Sequence, residues 1–382
     1  MNQINLERKM MKSRQSFLFL LITVCCITQF VAAKEFIIGA DISALTVYEE
    51  SGVIYRENGK PNDLIAILKN NGFNTIRLRL FVKPNNKGIV TNDLSYTLKL
   101  AKRAKAGGMK LLLDFHYSDT WADPQQQTKP KAWGKMSFEE LKQTVQSYSA
   151  SVIEAFKKEN VLPDIVQIGN EITPGMLWPD GKVTEEYDTE AQWGKFASLL
   201  KAGIAGVRSA APDANLKIML QIDRGGEKGV SKWFFDNLDK HQVPYDIIGT
   251  SFYPMWGHGT IEDLKENLNY IATELKKDVV VVETGYPYAM SHWYKQYENP
   301  EKMPLPLTPK GQYDMLYAVT KAVLETPDNH GYGVCYWAPE SVTIPKHTWL
   351  EGTSALFDSK GNAMPGIHAF KDAADSTIKK GK

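Results

Sequence analysis

Glu171 and Glu283 are the residues on which chemistry is most readily built. Each follows an almost wholly apolar run: Ile165-Val166-Gln167-Ile168-Gly169 leads to Asn170 and Glu171, and Val279 to Val282 leads to Glu283. A carboxylate placed at the end of such a run needs partners if it is not to pay heavily for burial. Taken singly, a glutamate ending a strand is more often a helix cap or a salt-bridge partner. As a pair across one groove, two glutamates can cleave a glycosidic bond: one keeps its proton and gives it to the leaving oxygen, and the other stays ionised and attacks the anomeric carbon. Environment must then separate them, with apolar or like-charged surroundings raising one pKa and a cation lowering the other. Arg79 is the candidate cation for Glu283, and Tyr253 the candidate hydroxyl donor to it. A barrel-mouth ion pair without catalytic part is the alternative for Arg79.

The elements that must position these groups are legible as a rhythm. Short runs rich in Ile, Val and Leu (Phe36–Asp41, Thr75–Leu80, Lys110–Phe115, Ile165–Asn170, Lys217–Gln221, Ile247–Tyr253, Val279–Glu283 and Gly333–Trp337) alternate with longer segments of helical periodicity. Several helix ends are marked. Pro61 suits a first turn and Gly72 the residue past a last one; Gly107-Gly108 ends another helix. Ser137-Phe138-Glu139-Glu140 and Thr260-Ile261-Glu262-Asp263 have the spacing of capping boxes. Eight strand–helix units in about 340 residues, with no glycine-rich phosphate loop after the first strand, predict a single (β/α)8 TIM barrel rather than an open doubly wound sheet. In a barrel the reacting groups stand at the C-terminal strand ends. Those windows hold Asp41, Arg77 and Arg79, Asp114 and His116, Asn170 and Glu171, Asp223, Tyr253, Glu283 and Trp337.

Composition narrows the partner. The chain has 382 residues, 43% of them apolar. Residues 1–33 open with Arg8, Lys9, Lys12 and Arg14, continue through an apolar run from Phe17 to Val31 and close on Val31-Ala32-Ala33, the pattern of a secretory signal. The expected division is therefore a signal at 1–33, one catalytic domain over 34–375 and a short polar tail at 376–382. Export to the periplasm or the exterior, including the cell surface, is expected, with no membrane span after the signal is removed. Without residues 1–33 there remain 41 basic and 43 acidic residues, a formal charge of −2. Nucleic acid, which is bound by neutralising phosphates, is excluded on that balance, and an uncharged partner and a monomer are expected. Of three cysteines only Cys335 stays, so no internal disulfide can form and stability must come from a large core.

Seven of the nine tryptophans (Trp121, Trp133, Trp178, Trp256, Trp293, Trp337 and Trp349) fall after strand ends, with Trp193 and Trp233 in helical segments. Indole faces suit the C–H faces of pyranose rings, although long loops also use large residues for small cores of their own. Trp121, Trp256 and Trp337 are taken as candidate sugar platforms. His116 is read equally as a sugar contact or a satisfied structural group. No His/Asp/Glu set has zinc spacing, and no metal or cofactor is expected.

These residues also carry a resemblance. Gly39-Ala40-Asp41-Ile42-Ser43, Arg77-Leu78-Arg79, Asp114-Phe115-His116-Tyr117-Ser118-Asp119-Thr120-Trp121-Ala122-Asp123-Pro124, Gln167-Ile168-Gly169-Asn170-Glu171-Ile172, Gly249-Thr250-Ser251-Phe252-Tyr253-Pro254, Val282-Glu283-Thr284 and Tyr336-Trp337 resemble, in order, the glycoside hydrolase family 53 endo-β-1,4-galactanases. The resemblance implies retaining hydrolysis of β-1,4-galactan, the galactose side chain of pectin. It makes Glu171 the acid/base and Glu283 the nucleophile. Asn170 then holds the 2-hydroxyl of the sugar being cleaved, Arg79 and Tyr253 orient Glu283, and Asp41, His116 and Trp337 line subsites. The alternatives are a related barrel glycosidase acting on mannan or xylan, or a non-catalytic glycan-binding barrel; retention of both glutamates argues against the last. Two stretches depart from the family. Pro287-Tyr288-Ala289-Met290-Ser291-His292-Trp293 offers too few oxygen ligands for the calcium loop that bacterial members often carry there. Gln125-Gln126-Gln127 replaces the usual Gly-Lys-Gln.

Overall fold

The computed structural model describes residues 34–297, 303–345, 347 and 349–380; the expected signal at 1–33 lies outside them, as does the side chain of Trp293. Eight parallel strands close into a barrel: β1 (Ile37–Asp41), β2 (Thr75–Leu80), β3 (Lys110–Phe115), β4 (Ile165–Ile168), β5 (Lys217–Ile222), β6 (Ile247–Phe252), β7 (Asp278–Thr284) and β8 (Gly331–Trp337). Each strand pairs with its sequence neighbours, and β8 closes on β1 with Trp337 opposite Asp41. The expected fold and all eight strand windows are present, with ends displaced by a residue or two.

The apolar runs form strands because both faces are covered. One face packs on the outer helices. The other meets a small interior layer of Ile37, Leu112, Ile165, Met219, Ile247, Val280, Val282 and Cys335. Glycine is required where strands crowd this layer: a Cβ on Gly39 would stand 2.3 Å from the Cys335 sulfur.

Helices follow the strands at Leu64–Asn70, Leu94–Ala106, Phe138–Lys158, Glu190–Ala210, Lys228–Lys240, Ile261–Tyr270, Pro309–Leu324 and Ala369–Lys380. Both expected capping boxes exist, at Ser137/Glu140 and Thr260/Asp263. Two boundaries differ from the sequence reading. Pro61 lies in a two-residue strand, and the helix begins after Asp63, whose carboxylate accepts from the Ala66 N–H; an oxygen that satisfies a free helix donor outweighs the preference of proline for the first turn. The polar stretch from 376 is no tail, because the last helix runs to Lys380. Ser376 accepts a hydrogen bond from the Tyr317 hydroxyl at 2.9 Å, and Thr377 one from the Lys321 ammonium at 3.0 Å. Among the described residues no helix is long and apolar enough to cross a membrane.

Candidate active site

Side chains alternate along a strand, so the residues two positions beyond the apolar layer also point into the barrel. From Leu112, Ile165 and Met219 that step reaches Asp114, Gln167 and Gln221; from β1, β2 and β6 come Asp41, Arg77 and Ser251. Arg77 is the hub. It is 1% exposed, and its guanidinium meets Asp41 at 2.9 Å, Asp114 at 2.9 Å and Glu283 at 2.8 Å. It also donates to the Asn170 carboxamide oxygen at 2.7 Å. These carboxylates raise its pKa despite burial, so its charge is permanent.

Glu283 would point away from this assembly if β7 were regular, since Val280 and Val282 already face inward. A β-bulge corrects it. Thr250 of β6 pairs with Val281, but the next residue, Ser251, pairs with Glu283, so β7 carries one extra residue there. Bulges of this kind re-aim a side chain. Glu283 then accepts from Arg77, from the Gln221 amide at 3.1 Å and from the Tyr253 hydroxyl at 3.4 Å. Burial pushes its carboxyl up, while Arg77 and Gln221 pull it back.

Glu171 is delivered differently. β4 stops at Ile168; Gly169 turns at φ 83° and Glu171 itself adopts φ 45°, a left-handed conformation that side chains other than glycine's rarely take. Two anchors hold the turn. The Gln127 amide donates to the Asn170 carbonyl at 2.8 Å, and the Ile172 N–H donates to the Gln221 carbonyl at 2.9 Å. The Glu171 Oε1 accepts from the Ser251 hydroxyl at 2.6 Å. Burial pushes its pKa well up, the charges of Glu283 and Asp223 push it further, and Ser251 and Arg77 oppose them. No cation touches it among the described residues. Glu171 thus keeps a proton more readily, and Glu283, against a guanidinium, gives one up more readily.

Both carboxylates line one cavity of about 770 Å³, together with Arg77, Arg79, His116, Trp121, Asn170, Tyr253, Trp256, Trp337 and Trp349. The aromatic wall is continuous: Trp121 to Trp337 at 6.2 Å between centroids, Trp337 to Trp349 at 5.2 Å, Trp349 to Trp256 at 6.3 Å and Trp256 to Tyr253 at 4.4 Å. Trp133 and Trp178 serve their own loops instead. Trp133 is buried against Tyr148, and the Trp178 indole donates to the Pro174 carbonyl.

Several expected placements change. Arg77, not Arg79, is the cation on Glu283. The Arg79 guanidinium donates to the Ile89 carbonyl at 2.9 Å, lies 3.9 Å from Asp41 and stacks over Trp121 at 4.5 Å, so it supports the aromatic wall. Both arginines face inward on β2, two residues apart, but the deeper one reaches the axis where Glu283 stands. Asp41 does not line the cavity. It is 1% exposed beneath it and ion-paired to Arg77. His116 does line it, with both nitrogens engaged: Nδ1 accepts from the Ala122 N–H at 3.1 Å, so Nε2 carries the proton toward Asp114 at 3.1 Å. Asn170 donates to the Ala122 carbonyl at 2.8 Å. Gln167, Gln221, Ser251 and Gln127 escaped the sequence reading as site residues, and Trp349, one of the seven tryptophans after strand ends, was not singled out as a sugar platform. The lone polar residue inside each of the runs Ile165–Ile168 and Lys217–Ile222 was the available signal for Gln167 and Gln221.

Comparison with known proteins agrees with this geometry. The family model described as "Glycosyl hydrolase family 53" matches residues 37–370. A Bacillus subtilis protein named endo-β-1,4-galactanase is 34% identical over 346 residues, covering 88% of this chain and 77% of its own. An arabinogalactan endo-β-1,4-galactanase of Thermothelomyces thermophilus is 33% identical over 340 residues, covering 87% and 98%. Among solved structures, the Ignisphaera aggregans GH53 catalytic domain superposes with a TM-score of 0.80 at 34% identity, covering 88% of this chain and 95% of that one. A structure of fungal β-1,4-galactanases gives 0.76 at 31%, covering 88% and 98%. Spanning nearly the whole barrel, these matches establish that the chain belongs to glycosyl hydrolase family 53.

Proposed function

We propose that this protein is an endo-acting, retaining glycosidase that cleaves β-1,4-galactosidic bonds in galactan and the type I arabinogalactan side chains of pectin. The observation that carries the reading is the chemical asymmetry of Glu171 and Glu283 in one tryptophan-walled cavity. The galactanase names of the relatives at 33–34% identity supply the substrate.

In the first step Glu171 gives its proton to the glycosidic oxygen while Glu283 attacks the anomeric carbon, forming a glycosyl ester and releasing the leaving sugar. Esterification removes the Glu283 charge, one of the causes that hold the Glu171 pKa up. Glu171, now a carboxylate, takes a proton from water as that water displaces Glu283, and the configuration is retained. Arg77 and Tyr253 hold Glu283 for attack. Trp121, Trp256, Trp337 and Trp349 take sugar faces, and Asn170 stands beside the sugar being cleaved. The substrate is neutral, in keeping with the charge balance, and residues 1–33 serve as an export signal.

The test is incubation with linear β-1,4-galactan, mannan and xylan in parallel, with the anomeric configuration of new reducing ends followed by NMR. Internal cleavage of galactan with β-product formed first is expected. Inversion, or action on mannan or xylan alone, overturns the reading.

A further inference from the structure

The side chains between the two carboxylates form a chain of hydrogen bonds whose direction is determined. The Gln221 Oε1 accepts from the Gln167 amide at 2.6 Å and from Arg77 at 3.2 Å. Its Nε2 donates to the Ser251 hydroxyl oxygen at 3.0 Å and to Glu283 at 3.1 Å. Reversing the amide would set oxygen against the Glu283 carboxylate and N–H groups against Arg77 and Gln167. Gln167 cannot reverse either, because its own Nε2 donates to Asp114 at 2.7 Å and to the Gly169 carbonyl at 3.0 Å, while its oxygen faces Arg77 at 3.3 Å. Both amides are therefore locked from the buried Arg77 outward.

The consequence falls on Ser251, which is fully buried. Its oxygen accepts from Gln221, and among the described residues its own proton has one acceptor within reach, Glu171 Oε1 at 2.6 Å. An Oε1 that is accepting a hydrogen bond is a poor place for the acid proton. The other oxygen, Oε2, has no hydrogen-bond partner among the described residues, and Glu171 lines the cavity. We infer that Gln221 and Ser251 are positioning residues that dictate which oxygen of Glu171 carries the catalytic proton, assigning it to Oε2. The inference rests on Glu171 being the acid/base. It adds a reason why a carboxyl group with two equivalent oxygens presents its proton in one direction only.

The measurement is kcat/KM, which reports glycosylation, for galactan and for a galactobioside with a 2,4-dinitrophenolate leaving group that needs no protonation. Glu171→Gln checks the parent assignment: it should abolish galactan cleavage and spare the dinitrophenyl substrate. Full galactan activity in that variant removes the acid/base reading whatever Ser251 does. Ser251→Ala should lose roughly tenfold or more on galactan, since general acid catalysis supplies about 10²–10⁴-fold, and under about threefold on the dinitrophenyl substrate. Losing a hydrogen bond that favours the carboxylate should also move the alkaline limb of the galactan profile upward. Glu283, Asp223, Arg77 and Tyr253 are the charged or titratable groups around Glu171, and all are unchanged in this variant. Ser251→Thr, which keeps a hydroxyl, should restore both readouts. Ser251→Cys, close in volume but a weak donor, repeats the test should Ala disturb the barrel. Equal losses on the two substrates with an unmoved alkaline limb would show that Ser251 only packs, and would overturn the inference.

Discussion

Two layers of the barrel interior stand on the same strands a step apart and are built on opposite principles. The lower layer, Ile37, Leu112, Ile165, Met219, Ile247, Val280, Val282 and Cys335, is apolar and has no charge to satisfy. The upper layer gathers Arg77 with Asp41, Asp114 and Glu283, and is nearly as closed to water. The lower layer gains stability from every methyl group it removes from water. The upper layer spends stability on desolvating charges, and recovers it only while every partner stays. Its return is an electrostatic environment in which Glu171, with no cation against it, holds a proton more readily than Glu283 does beside Arg77.

The largest effect expected from this contrast is in the upper layer. Glu171→Gln or Glu283→Gln should each lower galactan turnover by at least about a thousandfold with sugar binding largely kept, because these groups act chiefly in the transition state. Steady-state rates and calorimetric binding check this, and full activity in either variant breaks the assignment. Arg77→Met comes next. It removes the one cation that Asp41, Asp114 and Glu283 share, so a loss of about 3–5 kcal/mol in folding stability is expected together with a comparable loss of activity. Denaturant unfolding and rates on folded protein measure the two; a stable, active Arg77→Met would show that the cluster is dispensable.

Leu112→Ala tests the lower layer. The cavity should cost about 2–5 kcal/mol of stability while kcat of the folded fraction stays close to wild type, which separates stabilising from catalytic residues. The effect confined to one pH range concerns Glu340, fully buried beside Ala44, whose N–H it accepts at 3.1 Å. Burial pushes its pKa up to about 8. A folded pKa above the unfolded one means that stability is fully present below about pH 4, near the unfolded pKa, and is lost as pH rises through about 8. Glu340→Gln should therefore melt near wild type at about pH 4 and progressively above it toward pH 8. A melting difference independent of pH would show that Glu340 is ionised in the folded protein.

The sequence carried the barrel well because the apolar runs, the two capping boxes and the Gly72 and Gly107-Gly108 stops are local signals, each decided within a few residues. It also placed Glu171 and Glu283 at strand ends, since a carboxylate after an apolar run is conspicuous. The choice between Arg77 and Arg79 was not legible. They share a strand face and a residue type, and only the depth of each relative to the barrel axis separates a partner of Glu283 from a support of Trp121. Asp41 misled for the same reason: position in a strand does not say whether the residue opens to solvent or lies beneath another.

What the sequence by itself determined was the alternation that closes the barrel and the pair of acids at its mouth. What only the tertiary structure decided was how those acids are aimed. An ideal β7 would turn Glu283 outward; one extra residue paired against β6 brings it in. An ordinary backbone would not hold Glu171 at φ 45°; contacts from Gln127 and Gln221, distant in sequence, keep it there. Bulges and strained turns persist only where distant parts of the chain over-determine them, and such contacts exist only once the barrel has closed.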